Sequence, residues 1–235
     1  MASESNKVSD QSATARVPEA ERGVPVRGRP NGASRSRRMK SEVTHEKLRR
    51  ATARLLEQKP LRELKVSDIT NLASVSPSTF YIYFADVNEA VLAVLDEAYR
   101  TLPDFAAMTA NFGRDTLKAD VRAYVRAYLA YWDDHYAVLR VRNLAADEGD
   151  KRFRESRHKA LGPGVEAMAK KIDEMRGASL READVPAMAL ALVLNGSLER
   201  LASVIRFRPR GTDLTRGRLV DAATLMFCDA LQPRL

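Results

Sequence analysis

The sequence is short of the residues on which most secreted, catalytic and β-rich proteins rely. One cysteine, Cys228, among 235 residues excludes an internal disulfide and points to a reducing compartment. Its neighbours Met226 and Phe227 suit a small buried hydrophobe better than a redox switch. Aromatic residues amount to 6%, and no segment alternates apolar and polar residues for long, so sheet is not expected. No apolar run approaches the roughly 18 residues of a membrane span. The polar N-terminus has no apolar signal core. A cytoplasmic protein with no membrane partner is expected. The three histidines, His45, His135 and His158, have no metal-like spacing, and Asp133-Asp134-His135 reads as a solvated helix end. Phosphate-cradling glycine loops, a nucleophile elbow and a cysteine pair are all missing. The residues therefore argue against an enzyme and indicate neither a metal nor a cofactor.

What is present is positive charge and helical periodicity. The net charge is +8, which favours a polyanionic partner. Residues 1–42 carry nine basic and five acidic side chains, a net +4, with almost no large apolar residues. This composition predicts a disordered basic arm. From about Val43 the pattern is helical: 43–58, ended by Lys59-Pro60, then 67–73 with Ser67 as N-cap, 77–83, and 87–100 capped by Asp86. Longer helices are predicted over 115–132, 136–147, 151–176 with Gly162-Pro163-Gly164 interrupting, 184–206 and 215–231. The fold class is all-α.

The informative stretch runs from Val66 to Phe84. Val66, Ile69, Leu72 and Ala73 give its first helix an apolar face, and Ser74-Val75-Ser76 makes a turn. Ser76 caps the second helix with Pro77 at its first position, where a missing N–H is harmless. Phe80 and Phe84, four apart, anchor that helix. Ser78, Thr79 and Ile82 are left facing outward, flanked by Tyr81 and Tyr83. A short helix with small polar groups at its N-terminus suits the DNA major groove.

Here the chain resembles the TetR family of bacterial regulators. The likeness rests on Ala51, Leu55 and Leu56, on Val66 to Ala73, above all on Val75-Ser-Pro-Ser-Thr-Phe-Tyr-Ile-Tyr-Phe84, and on Glu89-Ala-Val-Leu92. It implies a three-helix DNA-binding domain over 43–86 and a larger helical ligand-binding and dimerisation domain over 87–235. It further implies that Ser76, Pro77, Ser78, Thr79 and Tyr81 approach bases and backbone, and that Tyr83 and Lys65 contact phosphates. Three positions depart from the family pattern. Ser74 replaces a turn glycine, Asn88 stands where a lysine usually meets phosphate, and Pro77 replaces a polar residue. In the arm, Val26-Arg27-Gly-Arg29-Pro30 resembles an AT-hook, whose arginines enter a narrow minor groove. The alternative is a tail that adds only nonspecific phosphate affinity.

For the C-terminal region the resemblance implies an apolar cavity and a homodimer. Candidate ligand contacts are Phe112, Tyr124, Tyr128, Trp132, Met168 and Asn195, of which Tyr124, Tyr128 and Trp132 share one helix face. Asn195 sits in an apolar helix where its amide needs a partner. That partner is either a ligand or a neighbouring helix. Leu194, Leu198, Leu201, Leu219, Ala223 and Met226 are the candidate dimer contacts, or else pack within one subunit. The expected function is repression of a palindromic operator, released by a hydrophobic or aromatic small molecule. The alternative is a ligand-independent regulator, an activator or nucleoid-type protein, that uses the basic arm.

Overall fold

The computed structural model describes residues 32–182, 185–207 and 213–232. The chain divides into two compact units, residues 1–39 and 40–235. In the first, residues 32–39 are helical. Among the described residues the helices are α1 (Gly32–Gln58), α2 (Val66–Ala73), α3 (Pro77–Tyr83), α4 (Val87–Tyr99), α5 (Phe105–Ala110), α6 (Leu117–Asp147), α7 (Lys151–Glu182), α8 (Ala187–Val204) and α9 (Arg216–Leu231). Two 3-10 turns, Leu61–Glu63 and Ile205–Phe207, complete the elements. The described residues contain no strand, so the all-α class holds.

The start of α1 corrects the expectation of a helix from about Val43 preceded by disorder. Helix is already present at Gly32, so residues 32–42 are helical. Residues 36–43 are all exposed, so no apolar stripe marks this part of α1. Further along, Leu48, Ala51, Leu55 and Leu56 turn inward as their spacing requires and meet Ile69 and Ala73 of α2 and Phe80 of α3 in one core.

Packing in the larger helical region centres on α6, α7 and α8. The expected break between Trp132 and Tyr136 is a kink rather than a helix end: His135 has φ −121° and ψ 19° inside α6. Its Nε2 lies 2.7 Å from Thr101 Oγ1, which donates its own proton to Ala98 O at 2.9 Å. Thr101 must therefore accept from His135 Nε2–H, which fixes the imidazole tautomer. Desolvation lowers the His135 pKa. Asp133-Asp134-His135 is thus a bend in the middle of a helix, not a solvated terminus. Helix α7 continues through Gly162-Pro163-Gly164. That tripeptide costs about 5 kcal/mol of helix propensity relative to alanines, so tertiary contacts hold the segment helical. One reason for Gly164 is steric: a Cβ there would lie 3.3 Å from Cβ of Phe105.

A buried ion pair joins the three helices. Arg142 of α6 and Glu199 of α8 are 1% and 3% exposed, with Nη2 to Oε1 at 2.6 Å. Arg157 of α7 reaches the other carboxylate oxygen of Glu199. The stretch Ala187–Phe207 has the length and hydropathy of a membrane span, contrary to the expectation that no segment would. Asn195 and Ser197 divide it into shorter apolar runs in the sequence. Glu199 within it is paired in the protein interior.

Removing one partner leaves the other buried and uncompensated. Glu199→Ala should therefore lower unfolding free energy by about 3–5 kcal/mol, read from urea denaturation. A loss below about 1 kcal/mol, the scale of an exposed pair, would show that this pair does not organise the three helices.

Candidate nucleic-acid interface and effector cavity

Helix α3 is only 7 residues long, too short to be stable alone, so its caps and anchors decide its position. Ser76 Oγ accepts from Thr79 N at 3.2 Å, and Pro77 occupies the first position, as the sequence required. The Ser76 hydroxyl also lies 2.8 Å from those of Ser78 and Thr79. Phe80 and Phe84 are buried, with ring centroids 5.5 Å apart. His45 of α1 packs against Phe84 at 5.0 Å and Tyr83 at 6.0 Å. The opposite face is open: Tyr81 is 60% and Ile82 76% exposed. Ser76, Pro77 and Ser78 are exposed too, while Thr79 and Tyr83 are half-buried.

The turn before α3 makes both hydrogen bonds of a Schellman motif. Ser74 N donates to Asn71 O and Val75 N to Thr70 O. Ser74 takes φ 55° and ψ 49°, the left-handed conformation that glycine adopts without cost. At the start of α2 the observed cap differs from the expectation. Lys65, not Ser67, is the N-cap, and Asp68 accepts from its backbone N–H at 2.9 Å. Asp68 also pairs with Lys59 at 2.7 Å, and the Lys59 contact leads in lowering its pKa. The Lys65 side chain remains exposed, whereas Leu72, expected on the inner face, is 41% exposed.

Asn88 is engaged elsewhere. Its amide donates to Asp150 Oδ2 at 3.1 Å, so one of its donors is engaged by a carboxylate of the same chain rather than left open for a phosphate. Asp150 belongs to a joint beside the interface, where Arg152 pairs with it at 3.1 Å and with Asp86 at 2.9 Å. Asp86 caps α4 by accepting from Glu89 N at 2.7 Å. The joint therefore links the segment just after α3 to the first turn of α7. Arg27 and Arg29 lie outside the described residues.

Of the six candidate ligand contacts, the structure brings three together. Tyr124, Tyr128 and Asn195 line a cavity of about 260 Å³ with Leu102, Phe105, Leu161 and Gly164. Phe105 meets Tyr124 at 5.0 Å and Tyr128 at 5.3 Å. Tyr128 Oη is buried with no hydrogen-bond partner among the described residues. Burial pushes its pKa, and that of Tyr124, above the usual phenol range. Phe112 and Met168 instead belong to the surrounding core. Trp132 turns to a separate groove beside Tyr136 and Phe207. Sequence reading missed Leu161 and Gly164, although the helix-breaking tripeptide marked their neighbourhood.

The dimer candidates divide in the same way. Leu194, Leu198 and Ala223 are 2%, 1% and 5% exposed, so they fill the core of one chain and cannot face a partner. Leu201 and Leu219 are half-buried, and Met226 is exposed. The apolar residues that α8 and α9 leave open are Met188, Leu192, Val193 and Leu225, together with Met226.

Comparisons with known proteins agree with this arrangement. Residues 48–93 match the model of bacterial regulatory proteins of the tetR family, and residues 102–212 match that of the tetracyclin repressor-like C-terminal domain. The HTH-type transcriptional regulator EthR of Mycobacterium tuberculosis is 29% identical over 150 residues, covering 62% of this chain and 68% of EthR. EthR of Mycobacterium bovis gives the same figures. Among solved structures, the fatty acid degradation regulator FadR from Bacillus halodurans aligns with TM-score 0.59 at 13% identity, covering 81% of this chain and 97% of that one. A TetR family transcription regulator from Marinobacter aquaeolei VT8 aligns with TM-score 0.52 at 17% identity, covering 82% and 97%. At these identities the structural likeness concerns the fold alone.

The strain at Ser74 is measurable. Ser74→Gly removes a left-handed cost of about 1–2 kcal/mol and adds roughly 0.4–1 kcal/mol of unfolded-chain entropy. The variant should gain up to about 1.6 kcal/mol, whereas Ser74→Val should lose stability. Thermal unfolding of the pair checks this, and a Ser74→Val variant as stable as the parent would contradict it.

Proposed function

Since the chain belongs to the TetR family of bacterial regulators and is a transcriptional regulator, we propose that it represses a palindromic operator as a homodimer. Release follows when a hydrophobic or aromatic small molecule enters the cavity bounded by α5, α6, α7 and α8. The observation that carries the DNA-binding part is the division of α3. Phe80 and Phe84 are buried, while the hydroxyls of Ser76, Ser78 and Thr79 and the side chains of Tyr81 and Ile82 lie at or near the open face. In this reading Ser78, Thr79 and Tyr81 meet base edges, while Tyr83 and Lys65 hold phosphates and set the register. Arg27 and Arg29 add nonspecific or minor-groove affinity. The protein acts in the cytoplasm, on the nucleoid when bound to DNA.

The dimer face in this proposal is the open apolar surface of α8 and α9, with Leu192, Val193, Leu225 and Met226 at its centre. Ligand acts as a population shift: it favours a conformation in which the two α3 helices no longer match the half-site spacing. The joint of Asp86, Arg152, Asp150 and Asn88 offers a path, because α7 both walls the cavity and holds the start of α4.

Footprinting on the promoter regions adjoining the coding gene should show protection of a short palindrome. Broad coverage of A·T-rich DNA would instead favour the ligand-independent, nucleoid-type reading. Thr79→Ala and Tyr81→Ala should each weaken operator binding by about tenfold or more while sparing nonspecific DNA, measured by fluorescence anisotropy. Equal losses on both DNAs would limit these residues to backbone contacts. Arg152→Ala should leave operator affinity of the free protein within about threefold but cut ligand-induced release by roughly 0.5–2 kcal/mol of coupling. Undiminished release would remove the joint from the path.

A further inference from the structure

The end of α4 is tied to the bend of α6. Thr101, just past α4, accepts from His135 Nε2–H at 2.7 Å, because its own hydroxyl proton goes to Ala98 O. His135 is where α6 leaves helical geometry, so the bond joins two points at which the chain changes direction. Tyr99 adds a hydroxyl contact to Ser156 of α7 at 3.1 Å. The start of α4 is fastened separately, through Asp86 to Arg152 at 2.9 Å and Asn88 to Asp150 at 3.1 Å. Held at both ends, α4 fixes the reading helix α3 that precedes it. With its end loosened, it takes more orientations, and fewer molecules present α3 at the spacing a dimer needs.

His135 also lines an open cleft of about 350 Å³, walled by Leu56 and Glu57 of α1, Val94 of α4, Asp134 and Arg140 of α6, and Arg206. Several charges nearby are already matched. On α4, Glu97 and Arg100 pair at 2.9 Å, and Asp133 pairs with Arg216 of α9 at 2.6 Å. Arg206 stacks on the Tyr136 ring at 3.9 Å. Burial keeps the Tyr131 phenol neutral, its ring 4.9 Å from the imidazole. Glu57, Asp134 and Arg140 complete the charged wall. In the bonded position burial outweighs the pull of Asp134 and holds the imidazole below the ordinary histidine value of 6.5. Turned into the cleft, the ring meets water and the carboxylates of Glu57 and Asp134. A group harder to protonate in one position moves to the other once it is protonated.

We propose that His135 is a positioning residue and a proton sensor: neutral, it holds α4 and the DNA-reading end, and protonated, it leaves Thr101 for the cleft and loosens them. This rests on the reading of α3 as the DNA-contacting helix and adds acidity as a second input. The neutral form, and full operator affinity with it, is complete above about pH 6.5 and is lost as pH falls through the lower value of the folded protein.

The test uses the full chain and the operator found by footprinting, with affinity read by anisotropy. Between about pH 7.5 and about pH 5 the parent should lose about threefold to tenfold in affinity. His135→Gln keeps a donor near the Nε2 position but does not titrate, so it should bind like the parent at the higher pH and lose little at the lower. Thr101→Val should bind at the higher pH as weakly as the parent at the lower, whereas Thr101→Ser should restore the parent profile. Nitrogen-resolved NMR of the three imidazoles, assigned with His135→Gln, should show an Nε2–H tautomer that titrates below 6.5. A His135→Gln profile as steep as the parent's, or normal binding by Thr101→Val, would overturn the inference, as would an Nδ1–H tautomer. The NMR arm needs no DNA. The expected tautomer and titration, with an operator affinity that ignores pH, would remove His135 from the control of α3 and leave the regulator reading untouched.

Discussion

Glu199 needs a positive charge beside it wherever the chain goes, and that need ties the body of the protein together. A carboxylate at 3% exposure is tolerable only when paired and hydrogen-bonded. Arg142 and Arg157 meet this condition from two other helices. Tyr128 lies on α6 three to four turns before Arg142, and Asn195 lies one turn before Glu199 on α8. Aligning the charges therefore also aligns the walls of the cavity. Arg157, on α7, sits between the joint at Arg152 and the tripeptide at Gly162, so the same pair fixes where α7 begins its run along that cavity.

The DNA-reading end follows a different rule, because its helices are too short for internal hydrogen bonds to hold them. There the caps matter most. Asp68 closes the start of α2, the Schellman bonds close its end, and Ser76 closes the start of α3. Two phenylalanines then fasten α3 to the core and leave its other side bare. The caps are local in sequence, whereas the phenylalanines pack on α1 residues such as Leu48 and, for Phe84, His45.

That locality explains what could be read beforehand. Ser76-Pro77, the turn conformation at Ser74, and the inward Phe80 and Phe84 are all decided within a few residues, and all were legible. Asn88 was not, since its partner Asp150 lies far along the chain and no local pattern announces it. Three of the six dimer candidates, Leu194, Leu198 and Ala223, lie in the core instead, for another reason. An apolar stripe such as Leu194, Leu198 and Leu201 has the same spacing whether it faces a core or a partner, and periodicity alone cannot separate the two. Residues 36–43 of α1 were hidden because a stretch of helix exposed on all sides has no stripe to show. Glu199 gave the one underused signal: an acid in register with Leu198 and Ala202 on an otherwise apolar helix.

Proline inside α7 has a consequence for time as well as shape. Pro163 cannot donate to the carbonyl one turn back, and its flanking glycines restrain the backbone little. Local opening there depends on the chain rather than on any occupant. If a molecule enters or leaves only when that stretch of α7 opens, the opening frequency sets a common upper limit on exchange for tight and weak occupants alike. The delay between a change in ligand concentration and a change in transcription would then be a property built into the helix, largely independent of affinity.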